Sequence, residues 1–171
     1  MKILVISDTH KDLTKARDII NRIRSKIDLV IHLGDHDSDA EQLKYEFENL
    51  VIEYVPGNCD WCSFEKSQKI INVRGKKILM THGHNYGVKY SSDNLKKVAR
   101  EQGARIVLFG HTHIPYISVE EKLLTMNPGS ISLPRGGSNY SYGIINIDEM
   151  GQVEGSLVDY INYKKELQKR C

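Results

Sequence analysis

Seven side chains in this sequence could combine into a metal-binding set: Asp8, His10, Asp35, Asn58, His82, His111 and His113. A mixture of carboxylate, amide and imidazole suits borderline divalent ions such as manganese, iron, zinc or nickel. The donors outnumber what one ion needs. Two ions roughly 3.5–4 Å apart, sharing one carboxylate, would grip the oxygens of a phosphate and lower the pKa of a bridging water, so that the nucleophile is a metal hydroxide. Taken singly, each His is more readily a hydrogen-bonded loop residue; four of them in matched loops point to ligation.

The elements that must position this set are short apolar runs. Lys2 to Ile6 reads as a strand running into Asp8-Thr9-His10. Leu13, Ala16, Ile19, Ile20 and Ile23 recur at helical spacing before a second strand, Leu29 to Leu33, which ends in Gly34-Asp35. Ala40 to Phe47 reads as a helix, and Val51 to Val55 as a strand broken by Pro56-Gly57-Asn58. Ile70 to Val73 and Lys77 to Met80 flank Arg74-Gly75-Lys76 as a hairpin whose second strand ends in Thr81-His82-Gly83-His84. A helix over about Ser91 to Gln102 leads to the strand Arg105 to Phe109, which ends in Gly110-His111-Thr112-His113. Ligands of α/β sheets bind at the carboxyl ends of strands, and all five polar loops fall there.

Residues two apart in an extended segment share a side, so Asp8 with His10, and His111 with His113, are each expected to face one point. Gly34, Gly57, Gly83 and Gly110 are expected to let the backbone approach a bound ion or phosphate. Short strands at Tyr116 to Val119, Leu123 to Met126, Tyr142 to Ile147 and Val153 to Tyr160 follow with no helix between them. The chain is therefore expected to open as parallel βαβ and finish as a meander. That favours a layered α/β sandwich over one continuous doubly wound sheet.

Other residues carry blander expectations. His32 lies inside an apolar strand and reads as a buried, hydrogen-bonded histidine; His36 directly follows Asp35 and could sit beside the ligands, and His84, two residues past His82, could reach the site from the same side. Cys59-Asp60-Trp61-Cys62 is formally a Cys-x-x-Cys, but Cys171 alone supplies no second pair for zinc. Asn127-Pro128-Gly129-Ser130 is a turn expected near the metals, and Arg135-Gly136-Gly137 a loop expected to reach substrate phosphate. Tyr140, Tyr142, Tyr160 and Tyr163 read as packing or interface residues, some of them suited to a homodimer.

Composition limits the classes. The chain has 171 residues, 40% hydrophobic and 27% charged, which fits a single domain over residues 1–171 with no disordered or low-complexity stretch. Lys and Arg number 24 against 22 Asp and Glu, and outside the terminal Lys164, Lys165, Lys169 and Arg170 they are scattered, so long nucleic acid is not expected. Ile3 to Ile6 is too short for a signal core or membrane span, which makes a cytoplasmic protein the expectation.

Asp8-Thr9-His10, Gly34-Asp35, Gly57-Asn58-Cys59-Asp60, His82-Gly83-His84 and Gly110-His111-Thr112-His113, in this order, resemble the calcineurin-like metallophosphoesterase superfamily. The Gly-Asn-Cys-Asp form and Asn127-Pro128-Gly129-Ser130 look like its small microbial phosphodiesterase branch. The resemblance implies a four-layer αββα sandwich with a dinuclear centre at the carboxyl ends of the strands. It implies that Asp8, His10 and His113 hold one metal, that Asn58, His82 and His111 hold the other, and that Asp35 bridges. It further implies two divalent ions, manganese first, and roles in catalysis for Asp35, Asn58, Cys59, Asp60 and His82. Many relatives have His where this chain has Cys59. A thiol is a poor general acid beside imidazole at neutral pH, so a small phosphodiester with a good leaving group is the expected substrate. A phosphomonoesterase, a nuclease of short strands and a non-catalytic protein-interaction scaffold are the alternatives.

Overall fold

The computed structural model describes residues 1–160; Tyr163, the terminal basic cluster and Cys171 lie outside them. In chain order the strands are β1 (Lys2–Ile6), β2 (Leu29–His32), β3 (Val51–Tyr54), β4 (Gln68–Val73) and β5 (Lys76–Thr81). They continue with β6 (Ile106–Leu108), β7 (Pro115–Glu120), β8 (Leu123–Pro128), β9 (Ser141–Ile147) and β10 (Val153–Asp159). Among the described residues the α-helices α1 (Thr14–Ile23), α2 (Asp37–Glu46) and α3 (Asp93–Glu101) complete the frame.

The strands form two five-stranded sheets, ordered β10-β9-β1-β2-β3 and β4-β5-β6-β8-β7. Alternation along each strand sends its side chains to two different apolar layers. Val5, Ile31, Met80, Leu108, Met126 and Ile145 meet between the sheets. Leu4, Ile6 and Val30 point the other way, against Ala16 and Ile20 of α1 and Leu43 of α2. On the far side, Leu79 and Val107 pack on Leu95 and Ala99 of α3. The result is the four-layer αββα sandwich.

Parallel pairing brings the strand ends that matter into line. Ile6 pairs with His32 and His32 with Tyr54, while Met80 pairs with Leu108 and Leu108 with Met126. The loops after β1, β2, β3, β5 and β6 therefore open on the same edge of the sandwich. Arg74 and Gly75 both take positive φ, which suits the tight turn of the β4–β5 hairpin.

The end of the chain departs from a single meander. β7 and β8 form one hairpin, with β8 parallel to β6, whereas β9 crosses to the other sheet, lies antiparallel to β1 and pairs with β10. A turn within a hairpin and a crossing between sheets carry the same polar, Gly-rich signal. Helix α2 also starts earlier than its apolar pattern, because the Asp60 carboxylate accepts the His36 and Asp37 amides at 3.1 and 3.0 Å. Tyr142 and Tyr160 are buried in the α1 layer, so for these two packing is the role. Among the described residues no helix is long and apolar enough to cross a membrane.

Candidate metal centre

The seven expected donors sit on the five loops at this edge, but strand alternation is not what aims them. Asp8, His10, Asp35, His111 and His113 have φ of 55, 45, 53, 69 and 60°, in the left-handed region. Each such residue costs about 1–3 kcal/mol and persists only where its surroundings enforce it. The turns fold the chain back immediately past each strand. Asp8 and His10 share one cluster, whereas His111 and His113 fall into different ones. Gly57 and Gly110 allow the crowding: a Cβ at Gly57 would overlap the Asp35 carboxylate, and one at Gly110 the Ser7 hydroxyl.

Asp8, His10, Asp35 and His113 each bring one donor atom within 4.8 Å of the others. His113 Nε2 is 3.3 Å from Asp8 Oδ1 and 3.2 Å from His10 Nε2, which is 3.6 Å from Asp35 Oδ2. The second cluster centres on His82 Nε2, which lies 3.2 Å from Asn58 Oδ1, 3.2 Å from His111 Nδ1 and 3.4 Å from Asp35 Oδ1. Asp35 thus turns one oxygen to each cluster.

Protonation follows from the backbone partners. His82 Nδ1 faces the Leu33 carbonyl at 2.7 Å and His113 Nδ1 faces the Leu133 carbonyl at 2.6 Å. A carbonyl only accepts, so each Nδ1 carries the proton and each Nε2 turns a lone pair into the site. Burial lowers the pKa of both rings, His82 to about 4, and His111 falls to about 4 through burial and the Lys89 charge. Burial also lowers His10, against the pull of Asp35. Neutral imidazoles are the ligand form.

The carboxylates are less comfortable. Burial, with the Asp35 charge adding to it, pushes Asp8 up to about 7 despite the Ser7 hydroxyl and the His111 amide. Asp8 Oδ1 is buried and accepts no hydrogen bond. For Asp35, burial alone would raise the pKa, but His82, the Cys59 amide and His10 outweigh it and hold it low. Nitrogen and oxygen atoms crowded at 3.2–3.6 Å around a buried, unpartnered carboxylate oxygen suit a cation placed among them. The residues present fit divalent metal.

Around the donors lies a shell of positioning contacts. The Asp60 carboxylate is used up by the Gly57 amide at 2.7 Å and by the start of α2, so it fixes the loop that carries Asn58. Cys59 donates its amide to Asp35 Oδ1 at 3.1 Å; burial and the nearby Asp35 carboxylate push its thiol up to about 11. Cys59 and Cys62 are both free. His32 is the buried, hydrogen-bonded histidine expected: it accepts the Gly34 amide at Nδ1, meets Thr9 Oγ1 at 2.9 Å, and Thr9 in turn donates to Asp39 at 2.6 Å. His36 places its ring 5.6 Å from that of His10, and His84 places its ring 5.5 Å from that of His82.

The turn at Asn127 to Ser130 does approach the site. Ser130 Oγ and Ser132 Oγ both donate to the Asp8 carbonyl at 2.8 Å, and Asn127 donates to the Gly110 carbonyl at 2.8 Å. Arg135 gives its amide to the His113 carbonyl at 3.1 Å. Sequence reasoning missed Asp39, Ser132 and the Leu33 and Leu133 carbonyls. Asp39 reads as an ordinary first-turn helix acid, and a carbonyl carries no residue-type signal at all.

Comparison with known proteins agrees with this geometry. The calcineurin-like phosphoesterase superfamily domain matches residues 1–150. The chain is 37% identical over 148 residues to the probable metallophosphoesterase YsnB of Bacillus subtilis, spanning 86% of this chain and 85% of that protein. A Streptococcus pneumoniae structure described as a predicted phosphoesterase superposes with a TM-score of 0.79 at 32% identity, over 94% of this chain and 90% of that one. Phosphodiesterase YfcE of Escherichia coli is 26% identical over 139 residues, 81% of this chain and 62% of that protein. With the family domain spanning residues 1–150 and its Asp and His donors gathered at one edge of the sandwich, the chain belongs to the calcineurin-like phosphoesterase superfamily.

Proposed function

We propose that the chain is a two-metal phosphodiesterase acting on a small phosphodiester. The observation that carries this reading is the Asp35 carboxylate set between two clusters of metal-competent side chains, Oδ2 toward His10 and Oδ1 toward His82. Asp8, His10 and His113 would hold one ion, Asn58, His82 and His111 the other, and Asp35 both. Manganese is kept as the first choice on the family resemblance, with nickel, zinc and iron, which four imidazoles also suit, as alternatives. Such a pair of ions, when bound, supplies a water acidified for attack on phosphorus and neutralises the phosphate oxygens.

The chain's own residues then set the geometry. Leu33 and Leu133 hold the His82 and His113 rings in the correct tautomer, Asp60 holds the Asn58 loop, and Ser130 and Ser132 pin the Asp8 backbone. Where many relatives have an imidazole, Cys59 offers a thiol that stays protonated and gives up its proton poorly. A good leaving group compensates, which favours activated diesters; the name of YfcE points the same way.

The test compares bis(p-nitrophenyl) phosphate with p-nitrophenyl phosphate in the manganese-loaded protein. We expect kcat/KM to favour the diester by roughly tenfold or more, a difference of about 1.4 kcal/mol in barrier. Preference for the monoester would overturn the assignment.

A further inference from the structure

A cavity of about 590 Å³ opens directly beside the metal centre, reaching Thr112 between His111 and His113. That size suits a small organic group. Val88, Phe109, Pro115 and Tyr116 give it an apolar and aromatic lining, and Ser91 and Ser92 add hydroxyls. Three cations border it, and they differ in one respect. Lys96 is spoken for, 2.7 Å from Glu120 and 3.2 Å from the Tyr116 hydroxyl, with Asp93 at 4.0 Å. Lys89 and Arg135 have no ion pair among the described residues, and both are exposed at the cavity's border.

The backbone beneath each cation is held by hydrogen bonds. The Arg135 amide donates to the His113 carbonyl, and the Arg135 carbonyl accepts the Ser138 amide and, at 2.7 Å, its hydroxyl. Lys89 follows buried Val88, and the Tyr90 amide turns back to the Gly87 carbonyl. By contrast a larger hollow of about 870 Å³, at the far end near Arg24, Tyr45 and Leu50, contains none of the donors.

We propose that this cavity seats one organic substituent of the substrate, and that Lys89 and Arg135 select a substituent carrying a second anionic group besides the scissile phosphate. The substrate class is then a phosphodiester with an aromatic or similarly flat apolar group that bears its own carboxylate, sulfonate or phosphate. This rests on the two-metal reading for the site that anchors the phosphate.

Binding, rather than turnover, separates the two. Calorimetric titration of the manganese-loaded protein with inorganic phosphate, phenyl phosphate and 4-carboxyphenyl phosphate reads the anchor, the ring and the second anion in turn. We expect the ring to tighten binding and the carboxylate to tighten it again by roughly tenfold, the scale of a hydrogen bond to a charged group. In Lys89→Met and Arg135→Met, exposed positions where folding is not at stake, the carboxylate's gain should shrink toward onefold, while the gain from the ring stays. Equal binding of the two aryl phosphates by the unaltered protein, or a carboxylate gain that survives both substitutions, would refute the proposal. Failure of the diesterase reading would show elsewhere, in turnover of the aryl diester.

Discussion

Replacing Asp35 with Asn should lower manganese-dependent hydrolysis of an aryl phosphodiester by roughly a thousandfold or more, beyond the 10²–10³ of one lost charge-stabilising group. The substitution keeps the side chain's shape and leaves an oxygen to accept the Cys59 amide, so the fold should survive. What it removes is the negative charge facing His82 on one side and His10 on the other. On the two-metal reading both ions would lose a shared ligand at once, so the effect should be larger than for a residue serving one cluster. Initial rates under excess manganese, alongside a thermal melt of each protein, check this. A well-folded Asp35→Asn chain retaining a tenth of the activity would contradict the bridging role.

Asp8→Asn is expected to do two opposite things, stabilising the metal-free chain while abolishing activity. The Asp8 carboxyl has its pKa raised by burial from 3.8 to about 7. The folded state therefore keeps a proton that the unfolded state has lost, and this group's contribution to stability is lost as pH rises from about 4 to about 7. By pH 8 the cost amounts to about 4 kcal/mol. Asn carries no charge to bury and tolerates the left-handed backbone at φ 55°. Its carbonyl can keep the His111 amide, and its NH2 can donate to His113 Nε2, now 3.3 Å from Asp8 Oδ1.

We expect the Tm of the metal-free variant to exceed that of the parent at pH 8 by roughly 8–16 °C, at about 2–4 °C per kcal/mol for a chain of this size. His32, His82 and His111, each lowered from 6.5 to about 4, pull the other way, because the unfolded state protonates them first as pH falls. The Asp8 contribution is accordingly read as the difference between variant and parent, which should widen from pH 4 to pH 7. A variant that melts lower at pH 8, or one that still turns over the diester, would contradict this picture. Site geometry that is costly without its ions and relieved by losing a ligand is what a metal centre built for function should show.

Much of this centre was legible in the residues themselves. Apolar runs such as Ile3 to Ile6 and Ile78 to Met80 are too short to be anything but strands, and each is punctuated at once by Asp, His or Gly. That made the loops, and the donors they carry, readable before the sheets were known. What stayed hidden had no local signature. Extended backbone would turn each i, i+2 pair to one point, yet all four residues take left-handed φ, and Asp8 and His10 meet in one cluster while His111 and His113 end in two. Parallel pairing of β8 with β6 depends on long-range packing, so the final strands read as one meander instead of two hairpins in two sheets. The Leu33 and Leu133 carbonyls, which set the histidine tautomers, belong to residues chosen for their apolar side chains. Asp39 looks like a helix-start acid, while its carboxylate is the end of the Thr9–His32 network.

The central claim is that two divalent ions share Asp35. Stripping the purified chain with a chelator and titrating manganese back by calorimetry, with metal content checked by elemental analysis, measures this directly. The account predicts two ions per chain for the parent protein and a loss of tight binding at both sites in Asp35→Asn; a single ion per chain, or two that bind Asp35→Asn unchanged, would contradict it.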